Sequence, residues 1–343
     1  MHLLSLLLVA ALPVASFARM HIHRNPQYYG SKHHNVARTT KYKLQDKHHG
    51  QTFFDGWDFF TQPDPTHGNV IYESRENSQD LAYVQSDGTA VMKVDNMTNV
   101  APGGNRRSVR VTSKASYNGA LVIADFWKFA HGPTVWPAFW AVGPDWPNGG
   151  EIDIVEFVND DKHNQYTLHT GSGGVCRTDP NVGPKYKSAN GTTDKGFLGT
   201  PVSTECMSSS SNNAGCAFTD VEGSAGTPFN MASGGVFAML WDNTHIAIWR
   251  FQRNQIPQDI QNGNPNPETW GTPTALWSDD SCDIAASFRD LRLVINITMC
   301  GDWAGAVFNN GNRGGTCADA VANSTNYDWA QIKVNHISVY QPV

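Results

Sequence analysis

From residue 108 onward the chain alternates short apolar runs with polar breaks: Ser108-Val-Arg-Val-Thr-Ser, Ala120-Leu-Val-Ile-Ala-Asp-Phe, Gly235-Val-Phe-Ala-Met-Leu-Trp, His245-Ile-Ala-Ile-Trp-Arg-Phe and Leu291-Arg-Leu-Val-Ile-Asn-Ile. Clusters of Gly, Pro and Asn separate the runs, which is the punctuation of many short strands. No long segment keeps a helical period and no repeat of fixed length shows. The pattern therefore predicts an all-β fold, a sandwich of two antiparallel sheets. This texture begins after Gly50, so residues 51–343 are expected to form one domain, a size that all-β sandwiches reach.

Upstream the pattern differs. Met1-His-Leu-Leu-Ser-Leu-Leu-Leu-Val-Ala-Ala-Leu-Pro is apolar but too short to span a bilayer, and Ser16-Phe17-Ala18 offers the small residues of a cleavage site. Residues 1–18 are expected to be a secretion signal. Residues 19–50 are basic, rich in His and without apolar periodicity, so a flexible leader is expected there. The pairs His33-His34 and His48-His49 read as a solvated tail rather than metal ligands, because no carboxylate or Cys joins them. No later apolar stretch is long enough to cross a membrane.

Charge and cysteine narrow the class. A net charge of −6 argues against a nucleic-acid partner, since phosphate binding rests on Lys and Arg. The six cysteines (Cys176, Cys206, Cys216, Cys282, Cys300, Cys317) show no metal spacing and read as disulfides of an oxidising compartment. Three of them fall in a Gly, Ser and Asn-rich stretch, residues 170–230, expected to form stapled loops on the rim. Sequons at Asn96, Asn190, Asn296 and Asn323 agree with a secretory route. No cofactor motif and no metal-ligand spacing appear, and a monomer is expected.

The chemistry concentrates in Trp136-Pro-Ala-Phe-Trp140, Trp146-Pro-Asn-Gly-Gly150 and Glu151-Ile-Asp-Ile-Val-Glu156. Ile and Val favour a strand, and alternation sends Glu151 and Asp153 to one face. Glu156 then falls on the wrong face unless a β-bulge near Ile154-Val155 turns it back. With that bulge, the strand presents three acids together. Their repulsion is expected to raise one pKa, assigned to Glu156, while another acid stays ionised. Carboxyls about 5–5.5 Å apart support a retaining glycosidase, with Glu151 as nucleophile, Glu156 as acid/base and Asp153 steadying the nucleophile. A solvated acidic edge strand is the plainer alternative, and the flanking tryptophans argue against it.

Indole faces near carboxylates suit the apolar face of a pyranose, which makes Trp140, Trp146 and Trp303 the candidates. Trp136, Trp241, Trp249 and Trp277, in or beside apolar runs, read as core. Arg110 is either an outward strand residue or a fork for sugar hydroxyls. His169 either supports the acid/base or satisfies local backbone.

At Glu-Ile-Asp-Ile-Val-Glu the chain resembles glycoside hydrolase family 16, in its laminarinase branch. Further likeness to the fungal endo-1,3(4)-β-glucanases lies in Phe59-Phe-Thr-Gln-Pro-Asp-Pro-Thr-His-Gly-Asn, Ser108-Val-Arg, Trp136-Pro-Ala-Phe-Trp, Thr167-Leu-His-Thr, Trp270-Gly-Thr-Pro-Thr and Cys300-Gly-Asp-Trp-Ala-Gly. The resemblance implies a β-jelly-roll with a concave glucan cleft, the same three acid roles, and Arg110, Trp140, Trp146, His169 and Trp303 lining glucose subsites. It thus implies a secreted or wall-bound enzyme whose partner is β-glucan. Two departures stand out. Gly132-Pro-Thr replaces a family Cys, so one family disulfide is expected to be missing. Phe157 replaces a family Gly, setting a bulky ring beside the catalytic strand. A ring that shields the site from water would favour a transglycosylase, the first alternative; a non-catalytic glucan-binding protein is the second.

Overall fold

The apolar runs pair into two eight-stranded antiparallel sheets. The computed structural model describes residues 41–179, 196–209, 212–311 and 314–343. The expected signal peptide, the leader as far as residue 40 and the Asn190 sequon lie outside the described residues.

One sheet, here the backing sheet, runs β16 (Ala275–Ser278), β15 (His245–Gln252), β14 (Gly235–Trp241), β8 (Ala120–Lys128), β18 (Gln331–Pro342), β5 (Ala90–Lys93) and β4 (Ala82–Val84), with β1 (Tyr42–His49) also on β18. The other runs β12 (Thr200–Ser203), β13 (Cys216–Thr219), β11 (Gln165–His169), β10 (Glu151–Glu156), β9 (Val135–Val142), β17 (Arg292–Met299), β7 (Arg110–Ser113) and β2 (Trp57–Phe59). A short parallel pair, β3 (Val70–Tyr72) and β6 (Arg106–Ser108), stands beside them. The expected all-β jelly-roll sandwich is what the chain forms.

The core is aromatic where the sheets meet. Phe126 of β8 sits edge-on to Phe139 of β9 at 5.5 Å, Tyr166 of β11 lies 6.5 Å from Phe237 of β14, and Phe218 of β13 meets Trp277 of β16 at 5.0 Å. Each pair joins one sheet to the other, so ring packing sets their spacing. Trp241, Trp249 and Trp277 are buried, as expected of core residues.

All six cysteines pair, as Cys176–Cys282, Cys206–Cys216 and Cys300–Cys317. None of these bridges has a cysteine within residues 132–134, although Cys300 N donates to Thr134 O at 2.7 Å. There the start of β9 is tied instead by Asn159, whose Oδ1 accepts from Thr134 N at 2.8 Å and whose N donates to Val135 O at 2.7 Å. The Asn296 sequon is a chance match: the residue is buried in β17, with its Oδ1 taken by the Trp140 indole. Asn323 is exposed.

The leader expected to run to residue 50 ends earlier. Tyr42–His49 is a strand paired antiparallel with β18, from Tyr42 opposite Pro342 to His49 opposite His336, with one register shift between Leu44 and Asp46. Its mostly exposed side chains explain why no apolar period announced it: backbone pairing, not burial, holds it. His48 is no tail residue either, since its ring packs 4.7 Å from Trp57 over Gly56, where a Cβ would collide with it. Removing residues 1–50 should therefore lower unfolding free energy by about 1–3 kcal/mol in denaturant melts.

Candidate active site

On β9 the buried and partly exposed positions alternate, so Trp136, Ala138, Trp140 and Val142 share the face turned away from the core. β10 is registered against this strand with Glu151 opposite Val142, Asp153 opposite Trp140 and Glu156 opposite Ala138. Two residues of β9 thus span the interval that three residues of β10 cover. The extra residue is the expected bulge, at Ile154-Val155, and both of these side chains are buried. β11 carries the rows further, with His169 opposite Glu151, Thr167 opposite Asp153 and Gln165 opposite Glu156. On the other flank Arg110 pairs with Asn296, which is itself opposite Ala138. Register alone therefore lays three acids, an Arg, a His and two tryptophans on one floor.

The bulge leaves backbone groups that the ladder cannot pair. Buried Asn164 takes them: its Oδ1 accepts from Glu156 N at 2.9 Å and its Nδ2 donates to Ile154 O at 3.1 Å. Its own N donates to Ser224 Oγ at 2.7 Å. Leaving such groups unpaired in the interior costs about 1–3 kcal/mol each, so Asn164 is what makes the bulge affordable.

These residues line a cleft of about 950 Å³. All eight candidates border it: Glu151, Asp153, Glu156, Arg110, Trp140, Trp146, His169 and Trp303. Arg110 is a cleft residue rather than an outward decoration, with its guanidinium 4.5 Å from the Phe60 ring, 5.1 Å from Trp140, and its Nε without a hydrogen-bond partner among the described residues. Trp146 projects from a turn in which Gly149 packs so closely on Pro144 O that a Cβ would lie 2.2 Å away. Trp303 meets Trp136 edge-on at 5.7 Å.

Two expectations fail here. Trp136 is not core: it lines the cleft and donates from Nε1 to Glu156 Oε1 at 2.8 Å. Stepping back from Trp140 by two and four residues would have put it on the site face. Phe157 faces the opposite way to that expected, buried in the core 6.0 Å from Phe129, and shields nothing in the cleft. Asn164 carried no sequence signal, because its role depends on a loop returning to the bulge.

Electrostatically the acids behave as a set. Burial, before anything else, pushes Glu151 and Glu156 up to about 8 and Asp153 to about 7. Asp153 raises both neighbours further, while His169, when its ring is protonated, favours the charged form of each glutamate. Indole donation opposes burial, from Trp146 onto Glu151 and from Trp136 onto Glu156. The expectation of one raised acid and one ionised acid is therefore corrected: the shared, poorly solvated floor raises all three. The spacing that looked empty of ligand sets in sequence also closes up in space, with donor atoms of Glu151, Asp153 and His169 within 4.8 Å of one another.

Comparison with known proteins agrees with this geometry. The family model described as "XgeA-like, catalytic GH16 domain" matches residues 57–340. A probable glycosidase of Schizosaccharomyces pombe is 38% identical over 90% of this chain and 71% of its own length. A probable endo-1,3(4)-beta-glucanase of Neosartorya fischeri is 39% identical over 89% of this chain, which spans only 46% of that relative. Among solved structures, the GH16 laminarinase 16A of Phanerochaete chrysosporium, with beta-glucans in donor and acceptor sites, superposes with a TM-score of 0.80 at 34% identity, covering 88% of this chain and 100% of that one. An elongating GH family 16 beta-1,3-glucosyltransferase matches with a TM-score of 0.78 at 34% identity, with the same coverage of 88% and 100%.

The raised carboxyls carry a stability signature. The folded protein holds protons that the unfolded chain gives up near 4.5, so its stability falls as pH rises from there to about 8. Glu151→Gln removes one such group. In denaturant melts at pH 8 the variant should exceed the unsubstituted protein by on the order of 1–2 kcal/mol, with the difference vanishing near pH 4.5.

Proposed function

The chain belongs to glycoside hydrolase family 16, and on that premise we propose that it is a secreted endo-β-glucanase that cleaves β-1,3 and mixed β-1,3/1,4 glucans with retention of configuration. The observation that carries this reading is the β10 bulge, which returns Glu156 to the face of Glu151 and Asp153 on the floor of an indole-lined cleft.

In this reading Glu151 attacks the anomeric carbon while Glu156 gives its proton to the departing glycosidic oxygen, leaving a glycosyl ester on Glu151. Glu156, now a carboxylate, takes a proton from water; the resulting hydroxide equivalent attacks the same carbon and releases Glu151. The competent state needs negative charge on Glu151 and a proton on Glu156 at once. Donation from Trp146 and the nearby His169 draw charge to Glu151, and Asp153 holds a hydrogen bond with it through both steps. Trp140, Trp146 and Trp303 offer faces for pyranose rings, and the Arg110 fork, stacked on Phe60 and Trp140, offers donors to hydroxyls.

A second reading has one supporting observation, the match to the elongating glucosyltransferase. There a sugar hydroxyl takes the place of water in the second step, and the acids keep their roles. The burial of Phe157 removes the water-shielding argument once attached to it.

A reducing-sugar assay on laminarin, lichenan and cellulose tests the proposal. Release from the first two, falling by at least about 10³-fold in Glu151→Ala, is expected. Redistributed chain lengths without new reducing ends would instead select the transferase, and binding without turnover would select a lectin. Trp136→Phe removes the donor that favours ionised Glu156. The alkaline limb of its pH–rate profile should move up by about one unit from its place near pH 8.

A further inference from the structure

The loop that follows β12 lies across the outer end of β11 and is fastened there at several points. Thr170 N donates to Cys206 O at 2.9 Å, Ser208 N donates back to Thr170 O at 2.9 Å, and the Cys206–Cys216 disulfide ties the loop to β13 beside Leu168. Gly215 permits this approach, because at its φ of +62° a Cβ would also meet His169 Cε1 at 2.8 Å. The consequence is a buried contact: Ser208 Oγ stands 2.8 Å from His169 Nδ1. The opposite ring nitrogen, Nε2, faces Asp153 Oδ2 at 3.4 Å. That oxygen is buried and receives no hydrogen bond among the described residues.

From this chain of contacts we infer that Ser208 is a positioning residue, which donates its hydroxyl proton to His169 Nδ1 and so keeps the imidazole N–H on Nε2, aimed at Asp153. The argument is one of satisfying a buried acceptor. In its neutral form an imidazole carries one N–H, and the hydrogen bond at one nitrogen decides which nitrogen bears it. If Ser208 accepted from Nδ1 instead, Nε2 would turn a lone pair on Asp153 Oδ2, setting two acceptors against each other in a buried site whenever Asp153 is ionised or holds its proton on the oxygen facing Glu151. With Ser208 donating, Nε2 offers an N–H rather than a lone pair to Asp153 Oδ2, 3.4 Å away, an oxygen that takes no hydrogen bond from any described residue. Among the described residues, the titratable groups facing His169 are Glu151, Asp153 and Glu156 of β10; from the other side come Ser208 and a disulfide, which carry no charge. Ser208 therefore acts on the acids only through His169, and the disulfide acts only by holding Ser208 in place.

The catalytic consequence rests on the glycosidase reading above, but the tautomer does not, and the test separates them. Long-range proton–nitrogen spectra of histidine-labelled protein report which nitrogen of His169 is protonated, with His169→Gln used to assign its signals. The Nε2–H form is expected to dominate in the unsubstituted protein. In Ser208→Ala the ratio of Nε2–H to Nδ1–H should fall by about fivefold or more, the worth of one hydrogen bond. Ser208→Thr keeps the hydroxyl and should restore it. On laminarin, Ser208→Ala should lose about tenfold in kcat and displace the pH–rate profile, with Ser208→Thr recovering both. A dominant Nδ1–H form in the unsubstituted protein, or an unchanged ratio in Ser208→Ala, would overturn the inference. If no variant cleaves glucan, the enzymatic reading falls, and the spectra still decide whether Ser208 sets the tautomer.

Discussion

One extra residue in β10 governs everything that the cleft can do. Without the bulge at Ile154-Val155, alternation would drive the Glu156 carboxyl into the aromatic core and turn Val155 to the cleft. Burying a carboxylate there costs several kcal/mol, a large share of the roughly 5–15 kcal/mol by which a folded domain is stable. With the bulge, the disturbance is confined to Ile154 O and Glu156 N, and both are recovered by a single buried amide, Asn164. The irregularity is cheap because it has a dedicated partner, and that partner is itself pinned by Ser224. The catalytic strand is therefore specified as much by the loop after it as by its own residues.

The same floor that gathers the acids also destabilises them. Three carboxyls on one poorly hydrated surface all resist ionisation, and the structure limits the penalty without removing it. Two indole N–H groups and one imidazole are placed where negative charge must appear, at Glu151 and Glu156. Asp153 has less help, since its Oδ2 lacks a donor among the described residues. Such a site trades stability for acids that hold protons into the neutral range, where one of them must act as an acid.

Much of this was legible in the sequence, for reasons that the structure makes clear. The two-sheet architecture followed from apolar runs and breaks, because a buried strand needs side chains that advertise it. The bulge was legible because the spacing of Glu151, Asp153 and Glu156 cannot share a face otherwise. What escaped detection depends on contacts distant in sequence or on backbone alone. β1 hid because its side chains are mostly exposed and its pairing uses only the main chain. Trp136 hid because a run of apolar neighbours looks the same whether it lines a core or a cleft, and only the phase of alternation from Trp140 separates the two. Phe157 misled for the opposite reason: proximity to Glu156 in sequence was taken for proximity in the site, although the end of the strand turns its ring to the other side.

Floor and walls are built by different means, and this division says where chemistry ends and specificity begins. Strand register places the acids, Arg110, Trp140 and His169, and register cannot drift without turning a whole strand over. The walls have no such constraint and are held by local fastening. Trp146 rides on a glycine-tight turn, Trp303 follows Cys300 of the Cys300–Cys317 bridge, and Ser208 hangs between Cys206 and Cys216. Each fastening restrains a short segment, so a wall can be altered without moving the floor. A chain built this way keeps its bond-breaking geometry while its loops reshape what the cleft admits. That is compatible with this chain superposing on both a laminarinase and a glucosyltransferase.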